Sequence, residues 1–193
     1  LDRLTRTLKA LAQNGPDEFY KGRIAEKIVA DLQEGGSRID ADDLASYEPL
    51  FIKPLTGTHR DATLYTPGET SGGLRLNEAL QYIEENLDLS KPVGAHTYVT
   101  YATALNQAFK NHEKRLGRIN KTGCTSHMST VDADGNMVAL TYTLLNRFGS
   151  KVILPKTGIL MNNSVSYFDP RPNFPTSMTS RKRINASNMC PTI

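Results

Sequence analysis

The sequence has no tryptophan and only two cysteines, Cys124 and Cys190. Two cysteines so placed form neither a disulfide framework nor a metal-binding pattern, and they do not identify a redox compartment. Long apolar runs are missing too: none approaches the ~20 residues that span a bilayer. Charge of one sign is not in excess, because 23 Lys and Arg against 20 Asp and Glu leave a formal net charge of +3. Apart from Arg181-Lys182-Arg183 the basic residues are scattered, and no basic run alternates with aromatics, which argues against a nucleic-acid partner. A metal-ligand cluster, a Gly-rich phosphate loop and a cofactor lysine are all lacking, so no cofactor is expected. The opening stretch "LDRLTRTLKALAQNG" has no apolar h-region and does not read as a signal peptide. The chain starts in mid-fold and stops on "MCPTI", and both ends read as cut points within a longer protein.

What remains is an ordinary globular composition, 38% hydrophobic and 22% charged, over 193 residues, enough for one large or two small domains. The first half reads as helical. Leu4, Leu8 and Leu11 mark one helix face, which Asn14-Gly15 ends. Pro16 suits the first turn of a second helix, on which Phe19, Ile24, Ile28 and Leu32 recur until Glu34–Gly36. Asp40 is placed to cap a short helix through "DADDLASY", with Asp42 and Asp43 in its first turn. Pro49 to Gly68 carries short β-prone runs broken by Pro and Gly. Thr70 or Ser71 then caps a helix striped by Leu74, Leu76, Ala79, Leu80 and Ile83. His96 to Leu116 is a further helix, ended by Gly117.

The pattern changes at Thr125. "HMSTVDADGNMVALTYTLL" is two β-like runs around a turn sequence, "DADGN". "KVILPKTGILMNN" adds two short apolar runs, and "DPRPNFPTSMTSRKRIN" is Pro-rich loop. Helices followed by strands imply an α+β protein. There is no internal repeat.

The start of the first β-run is crowded with hydroxyls: "GCTSHMST" spans Gly123 to Thr130. An aliphatic hydroxyl is a weak nucleophile until a base takes its proton. A residue made the first of its chain carries its own base, since a free α-amine has a pKa near ~8. Such a residue must be created by cutting before it. Thr125 follows the polar connector "GRINKTG" and sits at the lip of a strand, so the connector can leave after a cut while the strand holds the new terminus. Any one Thr in a strand is more often simply a β-branched strand residue. His127 reads as a half-buried sheet histidine on the face opposite Ser126. Its closeness in sequence to Cys124 establishes no geometry.

The segments downstream give the Thr125 reading more weight. "TSHMSTVDADGNMVALTYTLLNRFGSKV", "TGILMNN" and "SNMCPTI" follow in order, and together they resemble the γ-glutamyltranspeptidase family of N-terminal-nucleophile hydrolases. There "TTH" or "TAH" opens the small subunit, followed by "VVD.DG", "TYTLN..FG", "GILLNN" and "SSM.PTI". Upstream, "AQNGPDEFYKGRIAEKIVADLQEGGSRIDADDLASYE" and Ser71-Gly73 look like the end of the family's large subunit. The resemblance covers nearly the whole chain. It implies an α+β fragment of a layered αββα fold, mostly helical in a large-subunit-like region 1–124 and β-rich in a small-subunit-like region 125–193.

By that resemblance Thr125 is the nucleophile. It attacks the carbonyl of Cys124 in the proenzyme, the ester hydrolyses, and the freed Thr125 attacks an amide such as the γ-glutamyl bond of glutathione, passing the acyl group to water or an acceptor amine. Thr143 matches the second Thr of "TYTLN", which hydrogen-bonds the nucleophile. Ser187 matches the first Ser of "SSM", a contact to the substrate α-carboxylate, and Asn188 stands at the second. Asn163, with Asn162, lies in the segment leading to the substrate pocket, where Asn also caps turns.

Two positions depart from the family. Leu145 stands where the family has the Asn of "TYTLN", and Tyr167 where it has the second Asp of "MDDF"; both family residues hold the substrate α-amine. Asp169 is the nearest replacement carboxylate. The altered pocket keeps open an acylase or peptide amidase with another substrate, and an uncleaved, catalytically silent member. The family's substrate Arg and its oxyanion glycines match nothing here, so this chain alone is expected to be inactive. The implied partners are the amide substrate, its acceptor and the remaining parts of the same proenzyme; the implied location is periplasmic or extracellular.

Overall fold

A computed structural model describes residues 1–68, 70–116, 123–177 and 187–193. Among them run helices α1 (Asp2–Asn14), α2 (Asp17–Tyr20), α3 (Arg23–Glu34) and α4 (Ala41–Ala45). Strands β1 (Leu55–His59) and β2 (Ala62–Thr66) follow, then helices α5 (Gly73–Asn86) and α6 (Ala95–Leu116). The chain continues through strands β3 (Thr125–Val131) and β4 (Met137–Thr143) and a 3-10 turn, Ser164–Tyr167. The class is α+β as expected. The chain packs as two units, Leu1–Phe51 with Asn146–Asn163, and Ile52–Leu145 with Ser164–Ile193.

In the first unit α3 carries the core. Ile24 and Ile28, one turn apart, are buried with Leu154, and Leu11, Phe19, Leu32 and Ile159 pack around them. The helix expected to start at Pro16 is broken: Lys21 and Gly22 separate α2 from α3. Glycine is the better occupant at 22, because a Cβ there would lie 2.8 Å from the Glu18 Cα. Asp40 caps α4 as expected, in a reciprocal box: Asp43 N–H donates to Asp40 Oδ1 at 3.0 Å and Asp40 N–H to Asp43 Oδ2 at 3.1 Å. The apolar runs 152–154 and 159–161 form no ladder, only an isolated bridge between Ile153 and Leu160.

In the second unit α5 and α6 meet through small side chains. Ala79, Ala104 and Ala108 are buried, flanked by Tyr82 and Ile83. Neither Thr70 nor Ser71 caps α5; the cap position is Gly72, without a side-chain cap. The backbone here is committed elsewhere, since Thr70 O accepts from Ser187 N–H at 2.9 Å and Gly72 N–H donates to Met189 O at 3.0 Å. The helix α6 begins at Ala95, one residue before His96, and Gly117 lies outside the described residues. Strands β1 and β2 form one two-stranded antiparallel sheet, β3 and β4 another.

The β3–β4 hairpin carries the candidate residues Thr125 and Thr143. Its turn is set by Asp132, whose Oδ1 accepts from the N–H groups of Asp134 at 3.0 Å and Asn136 at 2.8 Å. Gly135 supplies the positive φ of 82° the turn requires. These bonds hold the Asp132 carboxyl below its ordinary pKa, the Asn136 side chain being the largest cause. The register pairs Thr125 with Thr143, His127 with Thr141, Ser129 with Ala139 and Val131 with Met137.

Candidate active site

Strand alternation puts Thr125, His127 and Ser129 on one face, opposite Thr143 and Thr141 of β4. On this face Thr125 Oγ1 donates to Thr143 Oγ1 at 3.1 Å, and Thr143 Oγ1 donates to the carbonyl oxygen of Cys124 at 3.0 Å. A third bond, 2.8 Å, comes to Thr143 Oγ1 from the Leu145 N–H. A hydroxyl has one proton to give and two lone pairs to receive. Thr143 uses all of them: its proton goes to the Cys124 carbonyl, and its lone pairs take the Thr125 hydroxyl and the Leu145 amide. Thr125 and Cys124 are exposed, and Cys124 is a free thiol.

His127 is exposed rather than half-buried. Its Nδ1 lies 2.7 Å from Thr141 Oγ1 and its Nε2 3.0 Å from Ser129 Oγ. The imidazole thus bridges hydroxyls on the face that carries Thr125, and Cys124 takes no part in that bridge. Ser129 is one end of it.

Leu145 was legible as a departure from a pattern; its conformation was not. It is 2% exposed and has φ +73°, the left-handed region that large L-side chains avoid. Its carbonyl accepts from Cys124 N–H at 2.6 Å. Asn favours this backbone region more than Leu does, so an Asn at this position in related sequences was the available signal.

Ser187 and Asn188 are held against α5. Ser187 Oγ accepts from Met189 N–H at 3.0 Å, a local turn bond. Asn188 accepts from Arg75 twice, Nη1 to its Oδ1 at 3.3 Å and Nη2 to its backbone oxygen at 3.4 Å. The Arg75 guanidinium also stacks 4.3 Å over the Phe109 ring of α6. Burial lowers the Arg75 pKa from its ordinary value, and Cys190 and Tyr167 oppose that shift. Gly72 allows the close approach of the segment, since a Cβ there would lie 2.8 Å from the Cys190 Cβ. Nothing in the sequence singled out Arg75.

Asn163 belongs to the first unit, where its Oδ1 accepts from the Asn146 N–H at 2.9 Å, the turn-capping role. Asp169 is unsuited to receive a substrate ammonium. Its carboxylate is fully buried and holds Arg171, Oδ1 accepting from Nε at 3.0 Å and Oδ2 from Nη2 at 2.7 Å. Among the described residues no group of three or more His, Cys, Asp or Glu side chains is placed to hold a metal ion. No helix among them is long and apolar enough to cross a membrane.

The sequence model of the gamma-glutamyltranspeptidase family matches residues 1–120 and 103–193. The glutathione hydrolase proenzyme of Escherichia coli K12 is 32% identical over 89% of this chain and 37% of its own length. The acylase ACY 1 proenzyme of Pseudomonas sp. SE83 is 25% identical over 94% of this chain and 39% of its own length. The chain therefore spans well under half the length of these curated relatives. Among solved structures, cephalosporin acylase from Bacillus halodurans superposes on 98% of this chain and 41% of its own with a TM-score of 0.82 at 24% identity, a likeness of fold.

Proposed function

The chain belongs to the gamma-glutamyltranspeptidase family, and from that premise we propose that Thr125 is a nucleophile released by cleavage of the Cys124–Thr125 bond, within an enzyme that hydrolyses or transfers γ-glutamyl groups of glutathione-like amides. One observation carries the proposal: the Thr143 hydroxyl lies in hydrogen-bond contact with both the Thr125 hydroxyl and the Cys124 carbonyl oxygen.

In the uncleaved chain Thr125 Oγ attacks the Cys124 carbonyl carbon. Thr143 donates to the carbonyl oxygen, where negative charge develops. The C–N bond breaks, an ester joins Cys124 to Thr125 Oγ, and the hydroxyl proton ends on the Thr125 nitrogen. Water then cleaves the ester, leaving a Cys124 carboxylate and a free Thr125 amine. That amine is the base that activates the Thr125 hydroxyl for turnover. The hydroxyl attacks the substrate amide, the amine product departs with a proton, and water or an acceptor amine takes the acyl group from Thr125. Ser187 and Asn188 are proposed to bind the substrate.

The proposal is tested on the full-length protein. A denaturing gel resolves two bands, and intact mass shows a new N-terminal Thr; a Thr125→Ala variant stays whole. A wild-type chain that remains a single band over days would sink the proposal and leave the silent reading.

A second reading, an acylase acting on amides without an α-amine, is favoured by Leu145, Tyr167 and Asp169. Leu145 is apolar and buried, Tyr167 carries no carboxylate, and Asp169 is bound to Arg171. A substrate ammonium thus loses the charged partner that makes such contacts strong. Parallel rates on γ-glutamyl amides and on the same amides lacking the α-amine separate the two readings.

A further inference from the structure

Leu145 brings together three unusual facts. It is a large aliphatic residue at φ +73°, its side chain is buried, and both of its backbone polar groups bond to neighbours of the Cys124–Thr125 bond, the Thr143 hydroxyl and the Cys124 N–H. Its N–H donates to Thr143 Oγ1 at 2.8 Å and its carbonyl accepts from Cys124 N–H at 2.6 Å. A left-handed backbone is unfavourable for an L-residue, because it brings Cβ too close to the following carbonyl oxygen. Outliers of that kind persist where the surroundings over-determine them, and they cluster at functional sites.

The bonds explain the conformation. Thr143 ends β4, and two residues later the chain must turn its N–H back toward Thr143 and its C=O toward Cys124. The left-handed turn at Leu145 sends both toward the start of β3. The Leu145 N–H fills a lone pair of Thr143 Oγ1, which leaves the Thr143 proton for the Cys124 carbonyl. The Leu145 C=O holds the Cys124 N–H, one residue's rotation away from the carbonyl that Thr125 must attack.

We propose that Leu145 is a positioning residue for self-cleavage, acting through its left-handed backbone, which orients the Thr143 hydroxyl and holds the Cys124 N–H. The proposal rests on cleavage at Cys124–Thr125. It assigns Leu145 no contact with the reacting atoms.

The test turns on backbone preference and side-chain volume predicting opposite orders. Leu145→Gly adopts positive φ freely, and Leu145→Asn tolerates it. Leu145→Val keeps most of the buried volume, but a β-branched residue resists that region. If Leu145 acts through its backbone, the Gly and Asn variants of the full-length protein cleave within ~3-fold of wild type and Val slows cleavage about tenfold or more. If it acts through packing, the order reverses, because Gly deletes the whole side chain and Val one methylene. Cleavage is followed by intact mass, with thermal unfolding of each variant measured beside it. Should Gly prove too unstable to fold, Asn against Val gives the same comparison. A wild type that cleaves, with Val as fast as Gly and Asn or faster, overturns the assignment to Leu145 and leaves cleavage standing. A wild type that never cleaves overturns both.

Discussion

Thr143 donates its hydroxyl proton to the carbonyl oxygen of Cys124 at 3.0 Å, across the two strands of an exposed hairpin. The bond places a donor where an oxyanion forms if Thr125 attacks that carbonyl. Loss of one such donor typically costs about 10²–10³-fold in rate. Thr143→Val keeps the shape and removes the hydroxyl, so self-cleavage of the full-length protein is expected to slow by about 10²-fold. Thr143→Ser restores most of it. The cleaved fraction against time, read by intact mass, checks both, and a Val variant that matures at the wild-type rate refutes the role.

Arg75 gives a different signature. It contacts Asn188, not the Thr125 hydroxyl pair, and both of its bonds are long, 3.3 and 3.4 Å. Arg75→Lys keeps the charge and loses the fork that reaches Asn188 through two nitrogens. The expected result is a KM raised roughly 3–10-fold with kcat nearly unchanged, the pattern of lost uniform binding. The cleavage rate stays at the wild-type value. Steady-state kinetics on whichever amide proves the better substrate supply the check, and a fall in kcat at constant KM contradicts the assignment.

The parts of the fold that the sequence displayed were those set by local chemistry. The Asp40 cap, the α3 stripe of Ile24 and Ile28 and the Asp132–Asn136 turn all depend on residues a few positions apart. The break before Arg23 escaped because the apolar stripe runs through it, while the interruption is set by the crowding of Gly22 against Glu18. The cap expected of Thr70 or Ser71 failed because the 187–189 segment, more than a hundred residues away, claims their neighbourhood. The same division holds at the site. Thr125 and Thr143 were legible from flanking patterns, and strand register brings them together. Arg75 was not, since its role comes from contacts with Phe109 and Asn188 that no local spacing encodes. Leu145 was legible as a substitution and illegible as a left-handed turn, because leucine seldom adopts one.

Asp31 and Lys156 tie α3 to the 146–163 segment in the first unit. The Asp31 carboxylate is fully buried, accepting from Lys156 Nζ at 2.8 Å and from Lys156 N–H at 2.7 Å. Burial alone raises a carboxyl pKa, and here the Lys156 bonds outweigh it and lower the Asp31 value. A lowered carboxyl contributes stability above its ordinary pKa of 3.8 and loses it as pH falls through the folded value. Lys156→Met leaves the charge buried with one backbone donor; Asp31→Asn leaves a neutral group that still accepts. Lys156→Met is therefore the more destabilising at pH 7, by about 1–3 kcal/mol. The gap narrows toward pH 4 as the orphaned carboxyl takes up a proton. Denaturant melts of both variants at the two pH values test the order.

His112 makes the second unit acid-sensitive in a higher window. It is 2% exposed on α6, and its Nδ1 has no hydrogen-bond partner. Burial lowers its pKa from 6.5 to about 4, helped by the cations of Arg75 on α5 and Arg115 on α6 and opposed by Glu78 on α5. A depressed histidine binds its proton more readily in the unfolded chain. Its contribution to stability is complete above pH 6.5 and is lost as pH falls through about 4. The thermal midpoint of the wild type is thus expected to drop between those values, above the range in which Asp31 titrates. His112→Leu removes both the titrating group and the unpaired nitrogen from a buried position, so its midpoint stays nearly level across the window and equals or exceeds the wild type at pH 5. A His112→Leu protein that loses stability as steeply as the wild type would place the acid sensitivity elsewhere.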